Sequence, residues 1–257
     1  MPKSYLSIFI LIVFSQASYA DSSKGKYTLS AGTTFTSGDY GSSDTTEIYY
    51  APLSLKYKTD KWYLKLTVPY LRIKGPQNVI RDIGQVTQSS TTVIGTNDGL
   101  GDIVFTTGYR LFYLPKSKIL LNIDGKIKFG TADEDKSLGT GKNDYSLSLG
   151  LYKLMGKFTP YATLGRRFYG QPSTTELDDV FFGSVGLGYK ISPKTSTGIN
   201  LYLKEATAST RPYTRQLSAY LSYKLDQNWK IQGYLIQGLS DNTPDLGGGF
   251  SLAYQFN

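Results

Sequence analysis

Asp144-Tyr145-Ser146-Leu147-Ser148-Leu149-Gly150-Leu151-Tyr152 is the stretch that decides the fold. Tyr145, Leu147, Leu149 and Leu151 form one set; Ser146, Ser148, Gly150 and Tyr152 form the other. Successive side chains of a β-strand point to opposite faces, so this segment carries one apolar face and one small or polar face. The same period of two recurs along the chain. Trp62, Leu64, Leu66, Val68 and Tyr70 alternate with a set that includes Lys65 and Thr67. Ile119, Leu121, Ile123, Ile127 and Phe129 stand against Asn122, Asp124, Lys126 and Lys128. At the end, Phe250, Leu252, Tyr254 and Phe256 stand against Ser251, Ala253 and Gln255.

Extended over the chain, the alternation predicts about twelve strands, at 26–37, 46–58, 61–74, 101–114, 117–130, 143–154, 157–169, 180–192, 194–205, 213–225, 228–239 and 246–257. Their connections alternate in length. Tight turns fall at Thr59-Asp60, Pro115-Lys116, Met155-Gly156, Pro193 and Asp226-Gln227, and longer polar loops near 38–45, 75–100, 131–142, 170–179, 206–212 and 240–245. Short turns on one rim, long loops on the other and an even strand count describe an all-β, transmembrane, antiparallel up-and-down β-barrel of the outer-membrane kind. Both termini then lie on the short-turn side. Loop 75–100 exceeds the usual loop length, which marks it as a candidate constriction, plug or outward contact.

A soluble β-sandwich or lipocalin-like barrel also alternates, with its apolar face turned in toward a core. Two features argue against it. The apolar series end in aromatics, among them Trp62, Tyr70, Phe158, Phe168, Trp229, Tyr254 and Phe256, as an interfacial girdle would. The opposite face carries so many charges that burying them dry would cost several kcal/mol each. The 22 Tyr and 27 Gly also supply a strand-and-turn vocabulary poor in helix formers. No apolar stretch after Asp21 is long enough for a membrane helix, and a lipid-spanning chain without helices must close its backbone hydrogen bonds as a barrel.

Residues 1–20 read as a cleavable secretory signal, with Lys3, an apolar run over Leu6–Phe14 and Ala17-Ser18-Tyr19-Ala20 placing small residues for a cut after Ala20. The barrel is then residues 21–257, exported to a bacterial outer membrane. The formal charge of +8 includes Lys3, so these residues carry about +7. The lysines are spread singly along strands rather than clustered, which argues against a nucleic-acid partner.

The sequence contains neither histidine nor cysteine. Without Cys there is no disulfide framework, and without either residue the usual zinc sites are excluded. Cys nucleophiles and proton shuttling by imidazole fall away as well, so neither an enzyme nor a cofactor is expected. Gly139-Thr140-Gly141-Lys142 fails as a phosphate loop because Lys136 and Asn143 stand where Gly and Ser or Thr are needed. Asp133-Glu134-Asp135 and Asp178-Asp179 read as solvated charge runs.

Several segments carry a family likeness: Tyr49-Tyr50-Ala51-Pro52-Leu53-Ser54-Leu55-Lys56-Tyr57, Leu64-Lys65-Leu66-Thr67-Val68-Pro69-Tyr70-Leu71, Gly99-Leu100-Gly101-Asp102, Gly139-Thr140-Gly141-Lys142-Asn143-Asp144-Tyr145, and Trp229-Lys230-Ile231-Gln232-Gly233-Tyr234 with Ser240-Asp241. The pattern resembles outer-membrane barrel transporters related to the MetA-pathway of phenol degradation group. That resemblance implies a barrel and uptake of small, aromatic compounds. Separately, Phe250-Ser251-Leu252-Ala253-Tyr254-Gln255-Phe256-Asn257 resembles the terminal strand that barrel-assembly machinery reads, its aromatic displaced by one.

Function is expected in the lumen. The strand phase puts Lys56, Lys65, Arg110, Lys126, Lys128, Arg167, Lys190, Lys204, Lys224 and Lys230 inside, with Asp102 and Asp124 as the clear inward acids. Tyr161, Tyr202, Tyr220 and Tyr234 are inward too, with Tyr50, Tyr63 and Tyr152. A basic lining favours anions, and phenol rings suit sugars or aromatic acids. The expectation is passive passage of small anionic or aromatic solutes. Its alternative is a structural or adhesive barrel with a closed lumen, because eight strands fill completely, sixteen leave a channel, and twelve lie between. Expected partners are outer-membrane lipid and lipopolysaccharide, the assembly machinery and the solute; the oligomeric state is open.

Overall fold

The computed structural model describes residues 25–256 apart from 41, 43, 77–78, 81–83, 86–93, 173–175 and 210–211. The expected signal peptide, its cut after Ala20 and Asn257 lie outside the described residues. Strands run β1 (Lys26–Gly38), β2 (Thr46–Lys58), β3 (Trp62–Pro76), β4 (Val79–Ile80), β5 (Gly84–Gln85), β6 (Ile94–Leu100), β7 (Val104–Leu114) and β8 (Ile119–Lys128). They continue as β9 (Asp144–Lys153), β10 (Phe158–Phe168), β11 (Val180–Lys190), β12 (Thr195–Lys204), β13 (Thr214–Lys224), β14 (Trp229–Gly238) and β15 (Leu246–Phe256).

One sheet holds 13 of these strands, all antiparallel, and it closes because β1 pairs with both β2 and β15. β6 and β7 lie end to end on β3, so the wall has twelve staves. Closure gives each full-length stave two neighbours, while the β6 extension pairs with β3 alone. β4 and β5 form a separate small hairpin within the connection from β3 to β6.

The composite fourth stave departs from the sequence expectation. Residues 94–100, expected in a loop, form β6 and extend the wall beyond the tight barrel. The join is a bulge. Val68 and Pro69 on β3 face three residues, Gly101-Asp102-Ile103, between the pairs Thr67↔Val104 and Tyr70↔Leu100. Pro69 has no N–H to give to the ladder, so the pairing breaks there, and Gly101 N–H donates to the Pro69 carbonyl at 2.8 Å. Pro52 lies directly opposite Pro69 on the other side, which puts two missing donors at one position of the wall. A second irregularity falls between Arg110 and Phe112 in β7.

The apolar face points outward. Leu147, Leu149 and Leu151 on β9 are about half exposed, as are Leu53 and Leu55 on β2 and Leu64 and Leu66 on β3. Such a continuous apolar surface is foreign to a soluble monomer and fits lipid. This excludes the sandwich and lipocalin-like alternatives, whose apolar residues turn inward. At the short-turn rim the rings of Trp62, Tyr57, Tyr27, Phe256, Tyr254 and Trp229 follow one another at centroid spacings of 4.7–6.0 Å. This girdle crosses the β1–β15 seam. At the other rim Phe35 packs on Tyr49 at 4.8 Å, and on β3 the outward series changes from Tyr70 to Arg72 and Lys74, where Lys74 pairs with Glu47 at 3.3 Å. That change marks the upper edge of the apolar band.

Candidate functional site

The interior face is built from small and polar residues interrupted by rings, and register explains how the rings are carried. Tyr63 lies directly across the ladder from Gly108, Tyr161 from Gly186, Tyr220 from Gly198, Tyr234 from Gly249 and Phe182 from Gly165. At each glycine an added Cβ would sit 2.2–2.7 Å from the opposing aromatic side chain, at its hydroxyl in Tyr234 and at a ring carbon in the other four. The rings therefore lie flat on the wall over glycines. A ring in that attitude buries one face and turns the other inward, and it projects less into the bore than one standing upright. Hydroxyls tie these rings to the wall: Tyr63 donates to Asp124 Oδ1 at 2.6 Å, Tyr161 to Asn200 Oδ1 at 2.8 Å, and Tyr234 shares a bond with Thr34 Oγ1. Tyr152 backs Tyr161 with centroids 5.8 Å apart.

Alternation places every sequence-predicted interior residue on the inward phase, in two different settings. The half nearest the short turns holds Lys56, Lys65, Arg110, Lys190, Lys224 and Lys230. Lys56 Nζ stands 4.3 Å above the Tyr63 ring, and Lys56 is within electrostatic reach of Lys65, Lys230 and Asp124. Lys126 lies beyond Thr106 from Lys65 along the same row, and Tyr202 meets Phe182 at 6.4 Å.

The half nearest the long loops is different. There Lys128, Arg167 and Lys204 are buried rather than lining open space. Lys128 Nζ is held by Asp102 at 2.9 Å, Asp144 at 3.2 Å and Thr140 Oγ1 at 3.0 Å. Two carboxylates meet this one ammonium, so it offers an incoming anion little. Arg167 is sandwiched against Tyr169 and Phe182, with its guanidinium 5.7 and 5.6 Å from their centroids, and donates to Tyr169 Oη at 3.3 Å.

These groups anchor residues 129–143, the β8–β9 connection, which turns Ala132 and Leu138–Thr140 onto the inner wall while residues 133–136 and 141–143 stay exposed. Leu138 is 1 % exposed, and it joins Ala132, Tyr40, Ile48, Tyr50, Leu71 and Ile73 in an apolar cluster on the inner face of β2 and β3. Asp102, aimed inward by the bulge, accepts the Ala132 N–H at 3.0 Å. Asp144 accepts the Gly170 N–H at 3.1 Å. Asp133 caps its own turn through the N–H groups of Asp135 and Lys136 at 3.0 and 3.2 Å. Among the described residues this connection folds inward; half of loop 75–100, the expected constriction, plug or outward contact, lies outside the described residues.

Two participants escaped the sequence reading. Asp144 opens β9 on the inward phase of Ser146 and Ser148, and its role appears only when β8 pairs it with Lys128. The glycines under the rings were missed because cross-strand register cannot be read from one strand at a time. Five inward aromatics, each with a glycine in a neighbouring alternating segment, was the available signal.

Comparison with known proteins completes the picture. The family model for the MetA-pathway of phenol degradation matches residues 17–256. The chain belongs to this family. No curated protein matches it. Among solved structures, an outer membrane channel from Pseudomonas putida F1 superposes with a TM-score of 0.70 at 17 % identity, covering 90 % of this chain and 95 % of that one. The KdgM porin superposes with a TM-score of 0.58 at 12 % identity, covering 90 % of this chain and 99 % of its own. At such identities the likeness is one of fold, and the fold is that of outer-membrane barrels. Barrels of this kind turn their short-turn rim to the periplasm and their long loops outward.

Proposed function

We propose that this family member is a non-catalytic outer-membrane channel that passes small anionic or aromatic solutes passively. The observation that carries the reading is the set of rings laid over glycines. A barrel braced by its tyrosines would stand them across the bore, where they meet side chains from the opposite wall. Here glycines in the adjacent strand make room for each ring against its own wall, which favours passage and offers flat faces to a moving solute. The lysines of the periplasmic half add an anion-favouring potential that the paired Lys128 does not.

The inward-folded 129–143 connection favours the second reading, a closed barrel acting through its loops, since apolar packing across the extracellular end narrows the mouth. Single-channel recording of the refolded protein in a planar bilayer under a salt gradient decides. Steady openings with an anion-favouring reversal potential, shifted toward cations by Lys56→Glu with Lys65→Glu, are expected. Correctly folded protein that never conducts would establish the closed barrel instead.

A further inference from the structure

Like charges set directly opposite each other across a ladder repel, yet this wall does so three times on its inward phase. Lys26 faces Lys58, Lys56 faces Lys65, and Lys224 faces Lys230. All of these positions lie in the periplasmic half, and Lys56 feels Lys58, Lys65 and Lys230 together, so lysines from separate strand pairs address the same space. The acids facing them are Asp124, whose Oδ1 already accepts the Tyr63 hydroxyl, and Asp60 in the β2–β3 turn near Lys58. Among the described residues no carboxylate lies within ion-pairing distance of Lys56, Lys65, Lys224 or Lys230.

Repulsion of this kind is relieved by a bound anion, and the geometry of one pair suits a carboxylate. Directly opposed residues have Cβ atoms roughly 5 Å apart, so two ammonium groups on flexible stems can converge on one pair of oxygens. Tyr63 holds Lys56 from below through its ring. Next along the wall, Tyr152 is within electrostatic reach of Asp124 and Tyr161, and Tyr161 of Tyr220. Tyr152 is buried, whereas Tyr161 and Tyr220 are only half-buried, so the latter two carry the accessible faces.

We propose that Lys56 and Lys65 form a subsite for the carboxylate of an aromatic acid whose ring lies along Tyr161 inside the periplasmic half of the barrel. This deepens the channel reading and rests on it for its purpose, but binding can be measured without transport. The lysine pair provides the charge, Tyr161 provides the ring face, and Lys224 with Lys230 raises the local anion concentration.

Benzoate, acetate and benzamide are titrated calorimetrically into the folded full-length barrel in detergent, against micelle blanks, and each is then added to a conducting bilayer. Saturable benzoate binding is expected, with acetate and benzamide at least about tenfold weaker, since each lacks one of the two contacts. Lys56→Gln with Lys65→Gln should weaken benzoate about tenfold or more while raising the urea midpoint, because it removes repulsion. Tyr161→Ala should bring benzoate down to the level of acetate. Benzoate binding unchanged by the lysine pair, or acetate binding as tightly as benzoate, would overturn the assignment. Benzoate that binds to a barrel passing no current leaves the subsite standing and removes the channel; current without benzoate binding does the reverse.

Discussion

Replacing Lys128 with Met should release the inward-folded segment while leaving the barrel intact. Lys128 is buried, as are its partners Asp102 and Asp144, with side-chain exposures of 6 %, 6 % and 2 %. Removing one member of a buried ion pair costs about 3–5 kcal/mol because the remaining charge is left uncompensated; here two carboxylates are left. What still holds the segment is chiefly Leu138, whose burial contributes roughly 1.5–3 kcal/mol. The loss therefore exceeds or matches the remaining restraint. At 1.36 kcal/mol per decade, the released population should rise by a factor of roughly 160 to 5,000. The wall strands keep their ladders, so far-ultraviolet circular dichroism and heat-resistant migration should not change. The assay is trypsin cleavage after Lys136, exposed in the same connection, on folded protein in vesicles, with bilayer current read alongside. Cleavage should accelerate and current should rise. Adding Asp102→Asn and Asp144→Asn to the Met variant should recover much of the protection, since the stranded charges are gone. A Met variant cleaved at the wild-type rate, with unaltered current, would refute the argument that this ion pair latches the segment.

Gly186→Val should push the Tyr161 ring off the wall, because an added Cβ lies 2.3 Å from its Cζ; conductance should fall, overpacking should cost about 1–3 kcal/mol, and Tyr161→Ala in the same chain should restore the current. Leu149→Arg, on the outward face near the middle of β9, should lower stability by about 2–4 kcal/mol in lipid vesicles, measured by urea unfolding, and an unaffected midpoint would deny that this face meets lipid. Asp226 accepts the N–H groups of Asn228 and Trp229, each at 2.7 Å, and these bonds hold its carboxyl below the ordinary carboxylate range. Its stabilising effect is therefore full above the unfolded value, near pH 4, and fades as the pH falls through the lower folded value. The difference in unfolding midpoint between wild type and Asp226→Ala should accordingly stay flat above that point and shrink in stronger acid; a difference that grows on acidification would contradict the turn assignment.

Strand phase was legible from the sequence because lipid and a hydrated interior impose opposite demands on alternate residues. Tyr145, Leu147, Leu149 and Leu151 could face only one way once the segment was a strand. The same logic placed Lys56, Lys65 and Tyr161 on the interior face. It failed where the period breaks. Residues 94–100 pair with β3 through Gly95, Asn97 and Gly99, which read as a polar loop since little apolar contrast remains above the membrane. It also could not separate Lys56 from Lys128. Both are inward lysines on alternating strands, and only the pairing of β8 with β9 and the approach of Asp102 make one of them a buried anchor. Local pattern carries the direction of a side chain; its partners come from register and from loops that return.

The Gly101-Asp102-Ile103 bulge gives the fourth stave an articulation. On the extracellular side the outward positions are Ile94, Thr96, Asp98 and Leu100; on the other side they are Tyr109 and Leu111. Even numbers become odd across one inserted residue. Deleting any residue of the bulge would therefore rotate one segment by half a period, swinging Leu100 into the interior or Tyr109 out of the lipid. The inserted residue is thus a phase shifter: it lets one continuous stave present Leu100 above it and Tyr109 below it to the same outer side, although the two stand an odd number of residues apart.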